Sequence, residues 1–403
     1  MTIASELNHT QLFSDAARER VGTIGQRRWG GGSATMPIKY TFEGGFPDPG
    51  TFPMEALADV TRRVLMTDRT ALNYDFVGYG GMREVVIELE RPHGGHLPKH
   101  ETILITAGAS QALQLAYSAL PNPGDTIILE ESSYIAQQVR MWKPKVEVVP
   151  MDDDGARVDA LRPTLQSLAG RGVQPKFFYV VADFNNPLGL TYSLARRKQI
   201  LELAYEFGFM IVEDDPYGRI RFQGESAPSF YSLDASGGHV IRIGTVSKIL
   251  GAGMRLGWAI SAPDVLNALR QFKQDGGTNP FAQRVTAEFL KDSLWSHIKV
   301  VTEAYRRKRD WMLDAMGRYC KDLSAWNVPE GGIFLWVETH KDVDDAKMLE
   351  RALQEGVSYR PGWAFSSDGG GKKYFRLAYS FQDQEGIEEG IKRLGRAMHA
   401  AAD

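Results

Sequence analysis

Short, mostly apolar runs recur up to about residue 245. Each is followed by small or polar residues and then by apolar side chains at helical spacing. Residues 102–107 (Thr-Ile-Leu-Ile-Thr-Ala) form one such run. Gly108 closes it, and Ala109-Ser110-Gln111 opens a helix with Ala112, Leu115 and Ala116 on one face. Residues 125–129, 177–181, 209–212 and 239–243 read as further buried strands. Between the third and fourth, Ser193 caps a helix whose stripe is Ile200, Leu203, Ala204 and Phe207, and Gly208 ends it. Strands apolar on both faces, alternating with helices, predict an α/β fold with a mostly parallel sheet covered by helices. After about residue 280 the pattern changes to a charged helical stretch over 304–316, a strand over 332–337 and a mixed α+β tail. The expected division is an N-terminal segment 1–40, a large unit 41–280 whose residues 41–60 lie near the smaller unit, and a small C-terminal unit 281–403.

Composition narrows this picture. The 403 residues are 43% hydrophobic and 24% charged, the balance of an ordinary globular protein. A formal net charge of −3 offers no basic field for nucleic acid. No window of 18 uninterrupted apolar residues exists, so no membrane span is expected. The N-terminus carries Glu6 and Asp15 and no apolar core of a signal peptide. One cysteine, Cys320, cannot form an internal disulfide, which fits a cytoplasmic location.

The chemistry concentrates just past the C-terminal ends of the predicted strands, where open α/β sheets bind ligands. Gly244-Thr245-Val246-Ser247-Lys248 runs on through Gly251-Ala252-Gly253-Met254-Arg255-Leu256-Gly257. Small residues let the backbone pass close to a ligand. An amine captures an aldehyde as an imine, and hydroxyls with a guanidinium hold a phosphate. The stretch resembles the cofactor-lysine segment of fold-type-I pyridoxal-phosphate (PLP) aminotransferases. Asp214, at the end of a strand, suits a protonated pyridine nitrogen, while Asp215 suits the Asp-Pro turn. Tyr217 and Asn186 are candidate donors to the ring oxygen. The Gly108 turn, Ser110, Thr245 and Arg255 form a candidate phosphate cup, and Tyr134 suits stacking on a ring.

Taken singly, several of these are ordinary turn or packing residues. Their order carries the resemblance: Gly108–Gln111, Tyr134, Asn186-Pro187-Leu188-Gly189, Asp214-x-x-Tyr217, Ser247-Lys248 and Arg255 follow the class I/II aminotransferase pattern. Gly45-Phe46-Pro47-Asp48-Pro49, Tyr74 with Gly78-Tyr79-x-x-Met82-Arg83, Pro329–Trp336, Pro361-Gly362 and Phe375–Ser380 extend it over roughly residues 40–398. The chain is most similar to the α-aminoadipate/kynurenine aminotransferase-like subgroup. The resemblance implies a large domain with a seven-stranded, mostly parallel sheet and a smaller α+β domain. It implies catalytic Lys248, Asp214 and Tyr217, with a Schiff base on Lys248. It implies cofactor contacts from Ala109, Ser110, Gln111, Tyr134, Asn186, Thr245, Ser247 and Arg255, and from Tyr74 across a homodimer interface. Substrate contacts fall to Gly45, Asn186 and Arg376, whose planar fork grips the α-carboxylate. The implied partners are an L-amino acid and a 2-oxo acid.

The chain departs from that pattern in places. Ala109-Ser110 stands where the family usually has two hydroxyl or amide residues, and Lys373 stands where an asparagine is common. The segment 22–36, with Arg27 and Arg28, does not match the subgroup's substrate-gripping helix. A PLP-dependent lyase, decarboxylase or oxidative deaminase of secondary metabolism therefore remains the alternative. A non-enzymatic PLP-binding regulator is disfavoured, because fewer than 40 residues precede the body. His93, His96 and His100 have ligand-like spacing but sit in a Gly/Pro-containing loop with no obvious fixed scaffold, and no metal is expected.

Overall fold

The computed structural model describes residues 9–14, 17–18, 37–340 and 343–402. Arg27, Arg28 and the rest of the 22–36 segment lie outside them. The predicted strands form one seven-stranded sheet. In chain order these are β1 (Ile103–Thr106), β2 (Thr126–Glu130), β3 (Lys145–Val149), β4 (Phe177–Val180), β5 (Met210–Asp215), β6 (Val240–Thr245) and β7 (Gly257–Ile260), arranged β1-β7-β6-β5-β4-β2-β3. All neighbours pair in parallel except β7, which runs antiparallel to β1 and β6.

Two strands were not expected from the pattern. β3 is an edge strand in which Lys145 stays exposed, so it lacks the continuous apolar run of a central strand. β7 hides in the glycine-rich tail of the Lys248 segment. Gly257 is required there, because a Cβ would lie 2.5 Å from both Ala109 N and Gly108 C. That close approach brings β7 against the start of the Ala109–Ala119 helix.

Helices cover the sheet. We number α1 (Met54–Thr67), α2 (Gly80–Glu90), α3 (Ala109–Ala119), α4 (Leu194–Phe207), α5 (Pro280–Tyr319) and α6 (Gln384–Ala402). α4 has the expected ends: Ser193 Oγ accepts from Arg196 N, and Gly208 takes a left-handed conformation with φ 69°. α5 is far longer than its charged middle suggested, at 40 residues. Asn279 caps it and Pro280 stands in its first turn. It packs against α1 and α2 at one end and against α6 further on. Among the described residues no helix is long and apolar enough to cross a membrane.

A second sheet is antiparallel, with order β8-β9-β11-β10: β8 (Ser324–Trp326), β9 (Phe334–Thr339), β10 (Arg360–Pro361) and β11 (Tyr374–Ala378). Residues Tyr40–Thr41 pair in parallel with Val357–Ser358, and Ala378 N donates to Phe42 O. The chain then crosses to Gly45, so residues 43–47 lie between the two sheets and wall one side of a cavity.

Candidate active site

That cavity holds about 340 Å³. The C-terminal ends of β5 and β6, the start of α3 and the second sheet converge on it. Strand alternation decides which side chains enter. Along β5, Asp214 faces one side of the sheet while Glu213 and Asp215 face the other. Val212, two residues before Asp214, pairs with Tyr179 of β4, so Tyr179 shares the face of Asp214. Its hydroxyl donates to Asp214 Oδ2 at 2.8 Å. Asp214 Oδ1 is buried with no hydrogen-bond partner among the described residues. Burial pushes the Asp214 carboxyl up to about 7, against the lowering effect of Tyr179.

On the opposite face Arg242 of β6 gathers the remaining acids. Its Nε lies 2.5 Å from Glu90 Oε2, Nη1 lies 3.0 Å from Glu213 Oε1, and Nη2 lies 2.5 Å from Asp215 Oδ2. Asp215 also accepts from Gly218 N at 2.7 Å, as an Asp-Pro turn requires. Burial alone would raise the Asp215 carboxyl, but Arg242, His93 and Arg219 together hold it well below the usual carboxylate range.

This network also explains His93. His93, Asp183 and Asp215 bring ligand atoms within 4.8 Å of one another. Arg242 Nη2, however, lies 2.6 Å from His93 Nε2, so a guanidinium stands where a metal ion would. His96 instead packs beside the Tyr231 ring, and His100 pairs with Glu84.

Lys248 follows β6 by three residues, and its Nζ donates to Gly45 O at 2.5 Å. Burial, with the charges of Arg376 and Arg255 nearby, holds the amine down to about 8. Tyr305 of α5 steadies the loop: its hydroxyl lies 3.3 Å from Lys248 O and accepts from Asp48 N. Thr245 Oγ1 and Ser247 Oγ are 2.8 Å apart, and both line the cavity.

Arg255 takes a left-handed backbone with φ 52°, and its Nη2 donates to Ala107 O at 3.1 Å. A Cβ on Gly108 would sit 3.0 Å from that same nitrogen. The guanidinium is thus seated beside the N-terminus of α3. There Ala109 and Ser110 line the cavity, and the first N–H groups of a helix have no intrahelical acceptor.

The opposite wall belongs to the second sheet. Arg376 of β11 is buried between Phe334 and Phe365, with its guanidinium carbon 3.9 and 4.9 Å from the ring centroids. Its Nη1 donates to Asn186 Oδ1 at 2.6 Å and its Nη2 to Glu43 O. Its Nε has no partner. Burial lowers its pKa to about 10, which leaves it a cation at neutral pH. Asn186 in turn donates to the Tyr217 hydroxyl at 3.3 Å, and Tyr134 lines the same space.

Of the residues singled out in the sequence, the cavity collects Gly45, Ala109, Ser110, Tyr134, Asn186, Asp214, Tyr217, Thr245, Ser247, Lys248, Arg255 and Arg376. It does not collect Gln111 or Tyr74. The Gln111 amide accepts from Ala107 N and donates to Asp275, and its backbone N–H donates to Gly108 O. Tyr74 is 77% exposed and stacks on Phe76. The sequence pattern did not single out Tyr179, Tyr305, Glu43 or Arg360. The one available signal for Tyr179 was a hydroxyl inside an otherwise apolar strand.

These residues fit pyridoxal 5'-phosphate. A buried carboxylate oxygen lacks a donor, a helix N-terminus carries a seated arginine, and a depressed lysine faces both. Comparisons with known proteins agree. Residues 43–394 match the family described as aminotransferase class I and II. The chain is 37% identical to an aromatic-amino-acid aminotransferase of Thermococcus litoralis over 88% of its length and 87% of that protein. It is 35% identical to a 2-aminoadipate transaminase of Thermus thermophilus over 89% of each. The solved α-aminoadipate aminotransferase of Thermus thermophilus, complexed with N-(5'-phosphopyridoxyl)-L-leucine, superposes with a TM-score of 0.87 at 34% identity over 98% of both chains. The match over residues 43–394 and the likeness to these relatives settle the family: the chain belongs to the class I and II aminotransferases, in the group of the α-aminoadipate and kynurenine enzymes, and depends on pyridoxal 5'-phosphate to transfer amino groups.

Proposed function

We propose that the amino group moves from an L-amino acid to a 2-oxo acid through the cavity between the sheets, with Lys248 as the residue that binds the cofactor covalently. The observation that carries this reading is one cavity lined by both Lys248, whose amine is lowered to about 8, and an Asp214 oxygen that has no donor among the described residues. Bound there, pyridoxal 5'-phosphate supplies an aldehyde that captures amines and a ring that takes up the electron pair left on the substrate Cα. Lys248 is the residue that would hold the cofactor through its aldehyde, and its free amine would be the base placed to move the proton at the substrate Cα. Asp214 Oδ1 accepts from the pyridine N–H and keeps it protonated. Tyr217 and Asn186 donate to the ring oxygen, and Tyr134 stacks on the ring. Ala109 N–H, Ser110, Thr245, Ser247 and Arg255 hold the phosphate. Arg376, with Asn186 and Gly45 beside it, holds the α-carboxylate.

The proposal includes the division at residues 40/41 and 280/281, a cytoplasmic location, and a homodimer. Met66, Leu72, Tyr74, Phe76 and Val77 are each 74–79% exposed, an apolar segment that a second copy would cover. Tyr74 then acts across the dimer interface rather than in this chain's own cavity, and Gln111 adds a cofactor contact from the first turn of α3. Mixing a Tyr74-damaged with a Lys248-damaged variant tests the shared site, because a heterodimer regains one intact site. No rescue despite verified subunit exchange would count against it.

The central test is borohydride reduction of the holoenzyme and peptide mapping. The pyridoxyl label should fall on Lys248, and a label on another lysine would sink the assignment. Arg376→Lys should lower kcat/KM for an amino acid by roughly 10²-fold, in line with about 3 kcal/mol for a charge-assisted pair. The corresponding amine, which has no carboxylate, should suffer much less.

A further inference from the structure

Arg360 lines the same cavity and has no part in the assignments above. It lies on β10 directly opposite Arg376 of β11. Directly opposed residues of an antiparallel pair put their side chains on one face, with Cβ atoms about 4.5–5.5 Å apart. Two guanidinium groups therefore face one binding space, and their surroundings differ. Arg376 is buried and held by two rings and two oxygen acceptors. Arg360 is 28% exposed, and its Nη1 donates to Glu43 Oε1 at 3.1 Å, with Glu43 33% exposed. An ion pair this open shifts an equilibrium by roughly fivefold at most. A ligand carboxylate can displace Glu43 at small cost.

The charges around the cavity point the same way. Among the described residues the lining cations are Lys248, Arg255, Arg360 and Arg376, and the lining acids are Glu43 and Asp214. On the reading above, Lys248 is taken by the cofactor aldehyde, Asp214 by the ring nitrogen, Arg255 by the phosphate and Arg376 by the α-carboxylate. Arg360 and Glu43 remain. The Glu43 backbone is fixed, because its carbonyl accepts from Arg376, while among the described residues its carboxylate is tied to Arg360 alone.

We propose that Arg360 determines side-chain specificity by binding the distal carboxylate of a dicarboxylic amino acid or 2-oxo acid. It releases Glu43 when such a substrate enters and recovers it when the substrate side chain is uncharged. Because an aminotransferase takes two substrates in turn into one site, an exchangeable counter-ion lets one cavity serve an acidic and a neutral partner. This inference rests on Arg376 being the α-carboxylate clamp.

The test uses the holoenzyme, with glutamate and leucine as amino donors and glutarate as an unreactive dicarboxylate probe. Arg360→Gln should lower the glutamate-to-leucine ratio of kcat/KM by at least about tenfold and weaken glutarate binding, measured by calorimetry, to a similar extent. Glu43→Gln removes the competitor and should tighten glutarate about threefold. An unchanged ratio in Arg360→Gln overturns the proposal. Should Arg360→Gln fail to fold, Glu43→Gln decides alone, and unchanged or weaker glutarate binding overturns it. Arg376→Lys keeps the two readings apart. If the clamp assignment is wrong, both donors are turned over normally by Arg376→Lys. If only the present inference is wrong, Arg376→Lys is impaired while the Arg360→Gln ratio stays put.

Discussion

The end of β5 places ionisable groups on the two faces of one sheet, and the two faces treat them oppositely. On the outer face Glu213 and Asp215 meet Arg242, Glu90 and His93, and almost every charge has a counter-charge within hydrogen-bond distance. Asp215 is held well below its usual range. Burial lowers the Arg242 pKa less than Glu90, Glu213 and Asp215 together raise it, so it ends well above its usual value. Both stay charged. On the cavity face Asp214 is pushed up to about 7 and Lys248 down to about 8, each toward its neutral form. Burial is similar; the difference is compensation. Where charges cancel, the fold is held. Where they are left uncancelled, a ligand's charges have something to complete.

The largest expected effect lies on the outer face. Arg242→Gln leaves Glu90, Glu213 and Asp215 buried without their cation and should cost about 3–5 kcal/mol of stability. A denaturant melt that matches the parent would show that the network does not hold the strands. On the cavity face Asp214→Ala should instead spare the melt and cut kcat at least about a hundredfold, in line with about 2–5 kcal/mol for a lost charge partner. Bound cofactor should persist through Arg255 and the start of α3, and near-normal turnover would refute the role.

Tyr179→Phe is a milder probe of the same face. Its hydroxyl lowers the Asp214 pKa, so removing it raises that pKa further. The carboxylate is then lost at a higher pH as pH falls. The acidic limb of the kcat profile should move upward in pH, with a loss of about tenfold at neutral pH. A limb that stays in place would separate Tyr179 from Asp214 function. The gentlest test changes no residue. Only the neutral amine attacks an aldehyde, so cofactor uptake by the cofactor-free protein should accelerate as pH rises through about 8. The rise between pH 7 and 9 should be about tenfold, followed as an absorbance change. A rise of about a hundredfold with no levelling by pH 9 would mean that Lys248 keeps its ordinary pKa.

Much of this arrangement was legible in the chain. Five of the seven strands of the main sheet announced themselves as short, mostly apolar runs, even though the fifth carries Arg242. β3 did not, because an edge strand keeps polar positions, and β7 did not, because glycine spacing masked it. The ends of α4 were equally readable, since capping is local chemistry between Ser193 and the next turn. α5 was read as shorter than it is, because burial by α1, α2 and α6 rather than a local pattern extends it to 40 residues.

The sequence by itself determined the α/β layout, the order of the site motifs and the choice of Asp214 over Asp215. That choice follows from the end of an apolar strand and an Asp-Pro turn, both properties of neighbouring residues. Only the tertiary structure brought Tyr179 to Asp214, 35 positions away, and Tyr305 to Lys248, 57 positions away. It also set Arg360 beside Arg376 and turned Gln111 away from the cavity. Those outcomes depend on sheet order and on the crossing of residues 43–47 between the two sheets. No local spacing encodes them, because contacts between distant segments are fixed by which faces the assembled layers leave to be buried.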